Sequence, residues 1–168
     1  MLGSDLLRRC EVIDHHGDDS QSLISVSDDP PVSINRRFVE ASFRIVTGLI
    51  EPHFMAGFSG GRKGVCPALA DFATVQRFHS YGVLADPKST TGVLADNPCH
   101  AESLRIAQLV GVDFLANVAI DRQRNPVSFY CGDIEKAHLA GATEVGKWTS
   151  AEFDELFDLI ITHGGGYP

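Results

Sequence analysis

The sequence predicts an α/β fold, a layered sheet with flanking helices in a single domain spanning residues 1–168. Short apolar runs rich in β-branched and aromatic residues alternate with helical stretches that each carry one apolar stripe. Of the residues, 43% are hydrophobic and 21% charged, enough to fill one core without a repeat or a low-complexity tract. The strand candidates are RCEVID (9–14), FRIVTGLI (43–50), DFLANVAID (113–121), VSFYCGD (127–133) and FDLIITH (157–163).

The helices follow in order. From Ala68 to Tyr81, Leu69, Phe72, Val75 and Phe78 recur about every three residues, and Gly82 stops the pattern. Asn97-Pro98 supplies a side-chain cap and a first-turn proline for a helix that buries Leu104, Ile106, Ala107 and Val110 and ends at Gly111. A third helix is expected from about Asp133 through His138 towards Thr143. A short fourth should begin at Thr149, where Thr149 and Glu152 have capping-box spacing. SDDPPVS and ADPKSTTGVLADNP read as turn-rich connections. The last strand empties into GGGYP, a glycine-rich end that reads as a truncation.

Charge and cysteine content exclude several classes. A net charge of −8 with only isolated basic pairs gives no footprint for nucleic acid. No apolar run reaches the roughly 20 residues of a spanning helix, and MLGSDLLRRCEV lacks the apolar stretch of a secretion signal, so a cytoplasmic location is the default expectation. Cysteines at 10, 66, 99 and 131 show no zinc-like spacing and read as packed or idle thiols.

Chemistry concentrates in EPHFMAGFSGGRKGVCP (51–67), where His53 and Lys63 bracket glycines directly after an apolar strand. Glycines let backbone N–H groups approach an anion, the lysine adds a charge or a nucleophilic amine, and the histidine moves protons near neutral pH. A phosphate-cradling GxxxxGK[ST] is excluded, because Arg62 precedes Lys63 and Gly64 follows it. GFSGG (57–61) fits GxSxG with Ser59 as a nucleophile and His79, His100, His138 or His163 as a later base, although EPHFMA separates it from the strand a nucleophile elbow requires. His79 shares the apolar stripe of Phe72 and Val75, where a lone histidine is commonly a core residue. His15-His16 reads as a surface pair.

Residues 47–67, TGLIEPHFMAGFSGGRKGVCP, together with His79, NPCH, FLANVAI, AGATEVG and DLIITHGGGYP, resemble the nickel-dependent lactate racemase family. Lys63 follows His53 by 10 residues and His79 follows Lys63 by 16, the separations of that family's proton-transferring histidine, cofactor-bearing lysine and metal-binding histidine. The resemblance implies a nickel-pincer nucleotide attached covalently through Lys63, with Ser59, Gly60 and Gly61 beside it and His79 on the nickel. It also implies inversion of small 2-hydroxy acids, with hydride passing to the pincer while His53 handles the hydroxyl proton.

Family members are about twice as long. Their N-terminal half carries an aspartate and an arginine near a DxTRP motif and a second proton-transferring histidine, none of which occurs here. The chain is therefore expected to be the C-terminal, cofactor-tethering portion, inactive alone and completed by an N-terminal racemase half. Two rival functions stand beside it: a non-catalytic anion-binding or remnant domain, and a serine hydrolase using Ser59.

Overall fold

The structure is a computed structural model that describes residues 4–155 and 157–161. Its centre is a three-stranded sheet of β3 (Ile45–Leu49), β6 (Phe114–Ile120) and β7 (Pro126–Gly132), ordered β3-β6-β7. β3 lies parallel to β6 with Ile45 opposite Phe114 and Leu49 opposite Val118, while β6 and β7 form an antiparallel pair. Alternation along β6 is what fixes the sheet's faces: Leu115, Asn117 and Ala119 are buried, whereas Phe114 and Ile120 are exposed.

Helices cover the inner face. α5 (Pro98–Val110) starts where predicted, with the Asn97 side chain accepting from the Cys99 and His100 amides at 2.9 and 3.1 Å, and ends at Gly111. It packs Ile106, Ala107 and Val110 against Val46, Leu115 and the buried pair Val65 and Cys66. α6 (Lys136–Thr149) closes a second cluster, where Ala142 and Val145 meet Ile50, Phe58, Ala119 and Tyr130. The opposite face leaves Ile45, Phe114 and Phe129 exposed, so the helices form one layer rather than two.

Several sequence expectations are corrected. RCEVID is not a strand: α1 (Ser4–Arg9) takes its first residue, and Val12 and Ile13 lie exposed with no neighbouring strand to pair with. The SDDPPVS stretch is no mere connection but the tip of an antiparallel hairpin, β1 (Leu23–Asp28) and β2 (Pro31–Asn35), which buries Val32 and Ile34 and leads into α2 (Arg36–Glu40).

The helix expected over 68–82 is two pieces. Asp71 caps α3 (Phe72–Phe78) by accepting from the Thr74 amide at 2.8 Å, which leaves Leu69 outside it and Phe72 exposed. Gly82 then lies inside α4 (Tyr81–Leu84). No helix starts at Thr149, because α6 runs on to that residue and its hydroxyl donates to the Val145 carbonyl at 2.8 Å instead of capping a new turn. Residues 157–161 form no strand, and Leu159, Ile160 and Ile161 are exposed; His163 and GGGYP lie outside the described residues.

Candidate active site

The chain leaving the end of β3 makes a minimal hairpin, β4 (Pro52–His53) and β5 (Gly57–Phe58), followed by one 3-10 turn, Gly61–Gly64. His53 stands on the hairpin and Lys63 on the turn. Two anchors hold this loop over the inner face of the sheet. Asn117 accepts from the Gly61 amide at 2.8 Å and donates to the Gly48 carbonyl at 3.1 Å. The Ser59 hydroxyl donates to the Leu49 carbonyl at 2.7 Å and accepts from the Glu51 amide at 3.0 Å.

The glycines serve closeness. Gly60 and Gly61 have φ of 72° and 55°, and a Cβ on Gly61 would fall 2.4 Å from the His138 ring. They do not leave a free row of amides: those of Ser59, Gly61 and Lys63 already donate to Glu51 O, Asn117 Oδ1 and Gly60 O. At these three positions the amides serve the packing of the loop. The Ser59 nucleophile is corrected, since its hydroxyl proton is committed to Leu49 and the nearby His138 ring nitrogen faces the Ser59 carbonyl rather than Oγ.

Lys63 is half-buried, and its amine pKa is lowered to about 8, first by burial and then by the Arg62 charge, with Cys99 and Glu51 pulling the other way. Arg62 itself is 0% exposed. It donates to the Phe58 and Ala56 carbonyls at 3.0 and 2.7 Å and to His138 Nε2 at 2.7 Å, and burial lowers it to about 10, so it stays charged at neutral pH.

The two remaining histidines differ in which nitrogen is occupied. His53 Nδ1 faces the Met55 and Ala56 amides, both at 3.3 Å, and so acts as acceptor, leaving Nε2 to exchange a proton. Burial foremost, then the charges of Lys63, Arg62 and His79, push its pKa down. His79 ends α3, and its Nδ1 lies 2.8 Å from the Val75 carbonyl, an oxygen that can only accept; the ring proton therefore sits on Nδ1 and the Nε2 lone pair is free. His79 is exposed rather than a core residue. Among the described residues no three His, Cys, Asp or Glu side chains converge to hold a metal.

Sequence reasoning missed Asn117, Arg62 and His138 as site-building residues. A signal existed for one of them, because Asn117 is the polar member of an otherwise apolar inward row. His15, read as a surface residue, instead bridges Asn35 and the Ala70 carbonyl. His138 is buried against Arg62, and the His100 ring stacks on it with centroids 6.3 Å apart.

Residues 1–92, which include His53, Lys63 and His79, match the family described as the lactate racemase N-terminal domain. The lactate racemases of Thermoanaerobacterium thermosaccharolyticum and Lactiplantibacillus plantarum are each 34% identical over 99% of this chain, which spans 40% of either relative. The structure of the lactate racemase apoprotein from T. thermosaccharolyticum superposes with a TM-score of 0.82 at 34% identity, covering 84% of this chain and 35% of that one. A Thermotoga maritima protein shares the fold at a TM-score of 0.63 and 20% identity, over 81% of this chain and 38% of that one.

These matches correct the assignment of the chain to the family's C-terminal portion. The motif loop lies within the N-terminal domain match, and missing motifs alone could not tell which named domain a segment belongs to. Among the described residues no helix is long and apolar enough to cross a membrane. The chain belongs to the lactate racemase N-terminal domain family.

Proposed function

We propose that this chain is the cofactor-tethering part of a racemase or epimerase that inverts small 2-hydroxy acids, with a nickel-pincer nucleotide joined to Lys63. The observation that carries the reading is that His53 feels both a lysine amine held partly uncharged and the histidine whose outer nitrogen is free for a metal. With a pKa of about 8, about a tenth of the Lys63 amines are neutral at pH 7, far more than for an ordinary lysine. That fraction suits an amine that must attack to form an amide-type link.

The residues fit the cofactor. His79 would offer one imidazole nitrogen to the nickel, and, with no other converging donor set among the described residues, a soft organic ligand would supply the rest. When bound, the pincer supplies the hydride acceptor that a poorly acidic α-hydrogen requires. The chain's own residues handle protons and charge. His53 exchanges the substrate hydroxyl proton at Nε2, and the buried cation Arg62 favours an anionic ligand nearby, joined by Lys63 until its amine is tethered. Ser59, Gly60 and Gly61 contribute by shaping the wall next to Lys63.

One histidine serves one face of a planar ketone, so inversion calls for a second base. We assign it to further racemase chain of the kind that makes up the remaining length of the relatives. Co-expression with cofactor-making enzymes, followed by intact mass and metal analysis, tests the proposal. The parent should carry an adduct and nickel, Lys63→Ala neither, and His79→Ala the adduct with little nickel. An adduct on Lys63→Ala would refute the tether. Inversion of lactate by the 168-residue chain alone would refute the need for a second base.

A further inference from the structure

We propose that Arg62 and His138 form a positioning pair that locks the hairpin bearing His53 to the turn bearing Lys63. The inference builds on the roles given above to those two residues. One fully buried guanidinium joins three elements: it sits on the 3-10 turn, donates to the Ala56 and Phe58 carbonyls of the hairpin at 2.7 and 3.0 Å, and donates to His138 on α6 at 2.7 Å. Such divergent donation from a fixed plane is what arginine offers and lysine does not. No carboxylate pairs with it among the described residues. Carbonyl oxygens and an imidazole take up its two terminal nitrogens instead, while its buried Nε has no partner among the described residues.

His138 suits the task because it is neutral. Burial first, and then the Arg62 charge, push its pKa down to about 3. The Ser59 carbonyl also lies 2.9 Å from His138 Nε2, but a guanidinium can only donate, so the nitrogen's lone pair is assigned to Arg62. Gly61 makes the fit possible, since any Cβ there would enter the His138 ring. His100, stacked on His138 and lowered to about 4, adds a second uncharged ring behind the pair. The groups acting on Lys63 are Arg62, Cys99 and Glu51, and only Arg62 among them disfavours the protonated amine.

The test uses Arg62→Met, Arg62→Lys, His138→Leu and His138→Gln in this chain. Two readouts apply: amide hydrogen exchange across residues 52–58, and acetylation of Lys63 against pH by a small acylating reagent, followed by peptide mass. Arg62→Met should speed hairpin exchange about tenfold with the amides of β6 and β7 unchanged, and should slow Lys63 acetylation at pH 7 severalfold as the charge that disfavours the protonated amine is lost. Arg62→Lys keeps the charge and loses the fork, so its acetylation stays near the parent while hairpin exchange rises. His138→Leu should loosen the hairpin; His138→Gln, which still offers an acceptor, should not.

Unchanged hairpin exchange in Arg62→Met, or equal acceleration throughout β6 and β7, would overturn the positioning role. Should Arg62→Met fail to fold, the His138 pair decides, and Gln behaving like Leu overturns it. Neither readout involves the cofactor, so the pair can stand while the tether falls, or the reverse.

Discussion

Replacing Lys63 by Met should stabilise the protein at neutral pH, against the usual effect of substitution. The amine titrates at about 8 in the fold and at 10.5 in an unfolded chain. That gap corresponds to about 3 kcal/mol of disfavoured charge, which solvent screening at a half-buried position reduces to about 1 kcal/mol. The sign follows from proton binding: between pH 8 and 10.5 the unfolded chain binds more protons than the fold, so this group's cost is full below pH 8 and fades as pH rises to 10.5. The difference between variant and parent should therefore be about 1 kcal/mol at pH 7 and near zero above pH 10.5. Urea unfolding of both proteins at pH 6.5, 7.5, 9 and 10.5 reads it directly, with effects common to both cancelling. A variant less stable than the parent at pH 7, or a gain that does not shrink with pH, would refute the claim that Lys63 sits in a place hostile to its charge.

Three further outcomes follow from the same geometry. Gly61→Ala combines a φ of 55° with a Cβ 2.4 Å from the His138 ring, and should cost about 3 kcal/mol in urea unfolding; a loss under about 1 kcal/mol would mean that His138 does not sit there. Ser59→Ala loses the Leu49 and Glu51 hydrogen bonds and should cost about 1–2 kcal/mol, while the parent should take no label at Ser59 from a fluorophosphonate; labelling there would restore the hydrolase reading. Of the four free thiols, exposed Cys10 and Cys131 should alkylate rapidly at pH 8 and buried Cys66, pushed up to about 12, slowly; equal rates would contradict its burial.

What the sequence revealed followed physical locality. α5 was legible at both ends, because Asn97, Pro98 and Gly111 act on their own backbone neighbours. β3, β6 and β7 were legible from apolar content. RCEVID failed because Val12 and Ile13 have the composition of a strand and no partner to pair with, a non-local condition. The β1–β2 hairpin was missed although LISVS and VSIN alternate, since the prolines at its tip drew attention to the loop. At the site, spacing singled out His53, Lys63 and His79 as candidates. Arg62 could not be assigned a role, because its carbonyl partners Ala56 and Phe58 depend on the turn of the loop and His138 meets it only where α6 packs against that loop.

The same distinction governs charge. Averaged over the sequence the protein is acidic, with a formal net charge of −8, and composition alone suggests nothing that would attract an anion. The fold concentrates the opposite sign in one place: Arg62 fully buried, Lys63 half-buried beside it, and His53 feeling both together with His79. Glu51 and Cys99 oppose this only in part, since burial raises the Cys99 thiol and keeps it largely uncharged. The glycine-loop amides of Ser59, Gly61 and Lys63 are already spent on protein acceptors, so attraction for a carboxylate or phosphate draws chiefly on these side chains. Such a field is costly to an empty fold and useful to a filled one, because a bound anion favours the protonated Lys63 amine against the burial and the Arg62 charge that lower it. Ligand binding should accordingly raise the Lys63 pKa, so the amine is most often neutral before an anionic partner settles; a lower amine pKa in the presence of a bound carboxylate would contradict this account of the site's electrostatics.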